Sequence, residues 1–188
     1  MSALKAELLK SLQQMPDFDK MKNQIEMTIT PEGLRIELLE TAYGTFFDSG
    51  RSKPNGQGKE MLDLLAQQLG KLPNKISVEG HTDSTAYSRN SDYGNWELSA
   101  DRANSARRLM QKMGLGAQQV TQIRGYADQR LRKPEAPLDP SNRRISVIVQ
   151  YVEKSGTEKE KPAESTGEKP PAGTPPSADL PKDLPKKE

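Results

Sequence analysis

The 188-residue chain has no cysteine, one histidine and no long apolar run, and each shortage removes a class of function. Without cysteine there is no disulfide, no thiolate nucleophile, no thiolate metal site and no N-terminal cysteine to carry a lipid; the absence fits cytoplasm and periplasm alike. His81 has no second histidine to complete a ligand set, so neither a metal nor a cofactor is expected. No stretch approaches the roughly 18 apolar residues that span a bilayer, and residues 1–20 lack a signal peptide's apolar centre. If the chain works outside the cytoplasm, an export or anchoring segment is expected upstream of Met1. A strong basic excess is missing too: the formal charge is +2, with Lys154 to Glu188 holding seven lysines against seven acids. That balance argues against a nucleic-acid partner.

What is present divides into three parts. Residues 1–23 carry Leu4, Leu8, Leu12 and Met15 at near-helical spacing before Pro16, a short amphipathic helix. Its apolar stripe suits packing on its own domain and docking on a partner helix equally. Residues 24–153 hold the folded domain. Residues 154–188, with KPP and TPP clusters and no apolar period, are expected to be a disordered Pro/Lys/Glu-rich tail. The tail accounts for much of the low mean hydropathy of -0.85.

Within the domain, Ile25, Met27 and Ile29 alternate with polar residues, as do Leu34, Ile36 and Leu38, and Thr30-Pro31-Glu32-Gly33 between them has hairpin-turn chemistry. A loop over 43–58 precedes a helix marked by Met61, Leu62, Leu65, Leu69 and Leu72. Ile76 and Val78 form a short strand running into Gly80. A polar loop over 84–95 leads to a helix from about Trp96 to Met113, then a strand over 120–126 and a proline-bearing loop. In the last strand, over 144–152, Ile145, Val147, Val149 and Tyr151 share a face. Strand-helix-strand units with right-handed crossovers predict an α/β fold: a two-layer sandwich, a mixed β-sheet with helices packed on one face.

The chemistry gathers between Gly80 and Arg108. Asp83 ends a strand, where ligands collect in open α/β sheets, and Arg102 falls one helical turn beyond Leu98 on the same helix face. A fixed carboxylate and a planar bidentate donor suit a small zwitterion held by both ends. A plain Asp83–Arg102 salt bridge tying strand to helix is an equal alternative on spacing alone. Gly80 permits close backbone approach and Thr82 brings a hydroxyl. Asn95 is a helix N-cap or a polar ligand, and Asn142-Arg143-Arg144 adds donors, one of those arginines being open to a solvated surface role. His81 is expected to make a hydrogen bond that shapes its loop. Wall hydrolysis by Asp48 and Asp83, with His81 nearby, would need two carboxylates about 5–10 Å apart with opposed pKa values. Nothing in the sequence indicates that, so no catalytic residues are expected.

The strings GHTD, NWELSADRA, GYAD and NRRISVIV, in that order, make residues from Ile25 to Val152 resemble the OmpA-like peptidoglycan-binding domains, and YGNWELSADRANSARR resembles the flagellar stator branch of the MotB type. The resemblance implies an OmpA-like α/β sandwich and a non-catalytic, periplasmic role as a cell-wall anchor. The ligand it implies is the diaminopimelate-containing stem peptide of peptidoglycan. By motif, Asp83 faces the ligand's ammonium and Arg102 its carboxylate, with Phe47, Asp48, Thr82, Asn95, Leu98 and Arg143 around them. It also implies a homodimer and a MotA-type membrane partner, reached through an inner-membrane helix that this chain does not contain. The loop between Asp83 and Arg102 is longer than in typical OmpA-like domains, which agrees with the stator branch and raises the prospect of a shaded pocket. An anchor of another envelope protein is the alternative.

Overall fold

A computed structural model describes residues 1–14, 18–86 and 92–152 of the chain. The predicted tail, the helix stop at Met15-Pro16 and the middle of the 84–95 loop lie outside these residues. Five strands form one mixed sheet in the order β1-β2-β5-β3-β4, from β1 (Ile25–Thr30), β2 (Gly33–Leu39), β3 (Ile76–His81), β4 (Val120–Gly125) and β5 (Arg144–Gln150). The hairpin pairs Ile25 with Leu38 through Thr30 with Gly33, as the alternating pattern predicts. The long helices are α1 (Ser2–Gln13), α3 (Gly56–Leu69) and α4 (Asn95–Lys112), and a four-residue turn of helix, α2 (Phe18–Met21), has no signature in the sequence.

Alternation sorts the sheet into two faces. Leu34, Ile36, Leu38, Ile76, Val78, Ile145, Val147 and Val149 join Met61, Leu62, Leu65, Leu69, Ala103, Ala106 and Met110 in one apolar core. Leu8 and Leu12 of α1 are fully buried in that same core, which decides the N-terminal helix in favour of packing on its own domain. The opposite face carries Arg35, Glu37, Glu79 and Ser146. Several boundaries differ from expectation: α3 ends at Leu69, so Leu72 lies beyond it. Asn55 caps α3 by accepting the Gly58 N–H at 3.0 Å, so the helix starts inside the predicted loop. Tyr151 lies beyond the end of β5 and is exposed, because the ladder stops at Gln150.

Two features of this topology build the cleft described below. β5 sits between β2 and β3 and runs antiparallel to both, with Arg144 opposite Leu39 on one side and His81 on the other. The residues just past those strand ends, Glu40 and Thr82-Asp83, therefore flank Arg143. Gly80 lets α4 descend onto the end of β3, since a Cβ there would lie 2.0 Å from the Ser99 carbonyl oxygen.

Candidate functional site

A cleft of about 550 Å³ opens at this end of the sheet, and all eight residues predicted for the site line it. The volume falls in the range of small-ligand pockets. Its floor is the strand end. The Asp83 carboxylate is largely buried: Oδ1 accepts the Thr85 N–H at 3.0 Å and Oδ2 accepts from Arg143 Nη1 at 2.6 Å. The Thr82 backbone N–H donates to the Ala127 carbonyl at 2.9 Å, while its buried Oγ1 has no hydrogen-bond partner. Ala127 holds a left-handed conformation, φ 49°, fixed by that bond and by its own N–H donating to Ser99 Oγ at 3.0 Å. The GYAD motif thus buttresses the GHTD strand end.

The opposing wall is cationic. Arg102, 3% exposed, donates from Nε to the Arg51 carbonyl at 2.9 Å and from Nη2 to the Asp48 carbonyl at 3.3 Å. Its guanidinium lies over the Phe47 ring, 5.0 Å from the centroid. No carboxylate among the described residues forms an ion pair with it. Burial pushes its pKa down, Arg143 adds to that, and the more distant Glu40 and Asp83 charges oppose it. The spacing alternative of a direct Asp83–Arg102 salt bridge is not what forms: Asp83 takes Arg143 instead. Asp48 enters through its backbone carbonyl, its side chain being exposed.

Three further expectations change. Asn95 is not the N-cap of α4; Gly94 is, with Glu97 accepting the Gly94 N–H at 2.8 Å, so the Asn95 amide is released to donate to the Thr85 carbonyl at 2.9 Å inside the cleft. Arg144 is no solvated charge, because it donates from Nε to Glu37 at 2.9 Å and from Nη2 to the Arg130 carbonyl at 3.0 Å. His81 makes no hydrogen bond through either ring nitrogen; it stacks on Tyr126 with centroids 5.1 Å apart, and burial lowers its pKa. Leu98 supplies an apolar patch between the charged walls.

Glu40 lines the cleft and escaped the sequence reading. Its Oε2 accepts from Arg143 Nε at 2.6 Å. Burial acts to lower the Arg143 pKa, and the hydrogen bonds to Glu40 and Asp83 outweigh it and raise it. The only hint of Glu40 in sequence is an acid placed immediately after the Leu38-Leu39 strand end.

Residues 46–145 match the OmpA family model. The chain belongs to the OmpA family. It is 38% identical over 143 residues to the truncated flagellar export/assembly protein LafU of Escherichia coli K12, covering 76% of this chain and 67% of that one. It is 33% identical over 147 residues to Motility protein B of the same organism, covering 78% of this chain and 48% of the relative, so it spans about half the length of that protein. Among solved structures, the cell wall anchor of the type VI secretion system from Pseudomonas aeruginosa superposes with a TM-score of 0.61 at 20% identity, covering 77% of this chain and 97% of that one. The periplasmic domain of Helicobacter pylori MotB gives 0.58 at 20% identity, covering 67% and 81%. At that identity the two structures establish a shared fold. Among the described residues no helix is long and apolar enough to cross a membrane, and no group of three acidic, histidine or cysteine residues stands together as a metal site.

Proposed function

We propose that the chain binds peptidoglycan without cleaving it and serves as the wall-anchoring part of a MotB-type flagellar stator subunit in the periplasm. The observation that carries the reading is Arg102: a guanidinium buried in a cleft, hydrogen-bonded among the described residues only to carbonyls, facing a wall built around a carboxylate. A buried cation is costly unless an anion reaches it, and a ligand carboxylate supplies that anion. Asp83 keeps lone pairs beyond the two bonds it makes, and these are the acceptors for a ligand ammonium. A diaminopimelate end, with ammonium and carboxylate on one carbon, fits both. Phe47, Leu98 and the Asn95 amide then flank its aliphatic stem.

The flagellar assignment is supported by the identity to Motility protein B and LafU; the wall by the anchor that shares the fold. A rotor pushes on its stator, so the stator needs a tether to something that does not turn. Two copies in a homodimer would hold a cross-linked polymer more firmly than either site alone, through effective concentration. A MotA-type membrane partner and an inner-membrane tether complete the proposed assembly. Co-sedimentation of the chain with purified sacculi tests the reading. Wild type is expected to pellet and Asp83→Ala and Arg102→Ala to remain in solution; equal pelleting of all three would remove the site assignment.

A further inference from the structure

We propose that Glu40 is the positioning residue of the cleft, the group that holds its anionic and cationic walls at a fixed separation. The proposal rests on the wall-binding reading above and lies outside the segment that matches the family model, which begins at residue 46. Glu40 is the first residue past β2 and is 3% exposed. Three donors converge on its two oxygens. Oε1 accepts the backbone N–H groups of Phe46 at 3.3 Å and Phe47 at 3.1 Å, and Oε2 accepts from Arg143 Nε at 2.6 Å.

Each contact leads to a different end of the ligand site. Through Arg143, whose Nη1 reaches Asp83 at 2.6 Å, Glu40 orients the carboxylate that would meet an ammonium. Through the Phe46-Phe47 backbone it fixes the segment that supports Arg102. That segment puts the Phe47 ring beneath the guanidinium and presents the Asp48 and Arg51 carbonyls to it, the turn being closed by the Arg51 N–H donating to Asp48 O at 3.0 Å. β2, β5 and the 46–51 segment are thus joined at one side chain. Chemistry narrows what that side chain must be. Three converging donors require acceptors at both oxygens, which a carboxylate has and an amide lacks. In a Glu40→Gln protein the amide nitrogen would face either Arg143 Nε or the two backbone N–H groups, and one of the two ties would be lost.

The test compares sacculus binding of wild type, Asp83→Ala, Glu40→Gln and Glu40→Asp, together with the NMR signal of the Arg143 Nε–H in the free proteins. Glu40→Gln is expected to weaken binding by about tenfold or more, the loss of one charge-assisted hydrogen bond, and to move the Arg143 Nε–H signal away from its wild-type position. Glu40→Asp keeps the charge but is one methylene short of spanning both ties, so an intermediate loss is expected; it decides the matter if Glu40→Gln does not fold. Wild-type affinity in the folded glutamine or aspartate protein, with Asp83→Ala defective, would overturn the inference and leave wall binding intact. Absence of binding by wild type would overturn both.

Discussion

Strand β3 feeds two charge clusters that differ in one respect. On the open sheet face Glu79, 1% exposed, accepts from Arg35 Nη1 and from Arg124 Nη1, each at 2.8 Å. Burial raises the Glu79 carboxyl, but the His81 ring 3.8 Å away and the two guanidiniums outweigh it and hold it at about 2. Four residues on, the cleft holds Asp83, Arg143 and Glu40 in a similar closed set, with Arg102 beside them, as deeply buried and, among the described residues, without a carboxylate in direct contact. The first cluster satisfies itself and ties β2, β3 and β4 together. In the second, the two acids on Arg143 balance Arg102 only across the cleft, and the Arg102 guanidinium has no carboxylate in direct contact among the described residues. Directly paired charges hold a fold, and the proposed function turns on the guanidinium that lacks a direct carboxylate partner.

The sharpest way to break that contrast is Arg102→Met. Replacing a buried cation that has no direct carboxylate partner among the described residues by an apolar chain is expected to abolish sacculus pelleting while leaving the thermal midpoint unchanged or raised. A large fall in the midpoint would mean that Arg102 is structural. The converse is Glu79→Gln, which strands two guanidiniums: urea unfolding should show a loss of about 3 kcal/mol, with pelleting of the folded fraction unchanged. The same residue sets an acid limit. Its folded pKa lies below the ordinary carboxylate value of 4.5, so its contribution is full above that pH and is lost as pH falls through about 2. Urea midpoints measured across that window should decline in wild type and decline less in Glu79→Gln. Gly80→Ala tests the shared scaffold: the added methyl meets the Ser99 carbonyl, and a loss of about 2 kcal/mol with weakened binding is expected. The smallest effect belongs to Arg124→Ala, about 1 kcal/mol by urea unfolding, because Arg35 still neutralises Glu79.

Local pattern carried most of the fold. The hairpin, α3, α4 and β5 each have a period of their own, and the apolar core follows from it. The eight cleft residues were reached through motif resemblance, and the geometry gathers them at one opening. What stayed hidden depends on pairing between distant strands. Glu40 and Arg143 are 103 residues apart and meet only because β5 inserts between β2 and β3. The exchange of roles, Arg143 on Asp83 and Arg102 on carbonyls, follows from the same register and has no local signature. Asn95 looked like a cap because its residue type is the common one there; Gly94 and Glu97 took that work.

The central claim is that Arg102 awaits a ligand carboxylate. Calorimetric titration of the full chain with a diaminopimelate-containing stem peptide, and with the same peptide carrying an amide in place of the free carboxylate next to the ammonium, tests it directly. Binding of the acid, with the amide weaker by about tenfold or more, is the predicted result. Equal affinity for the two peptides would contradict it.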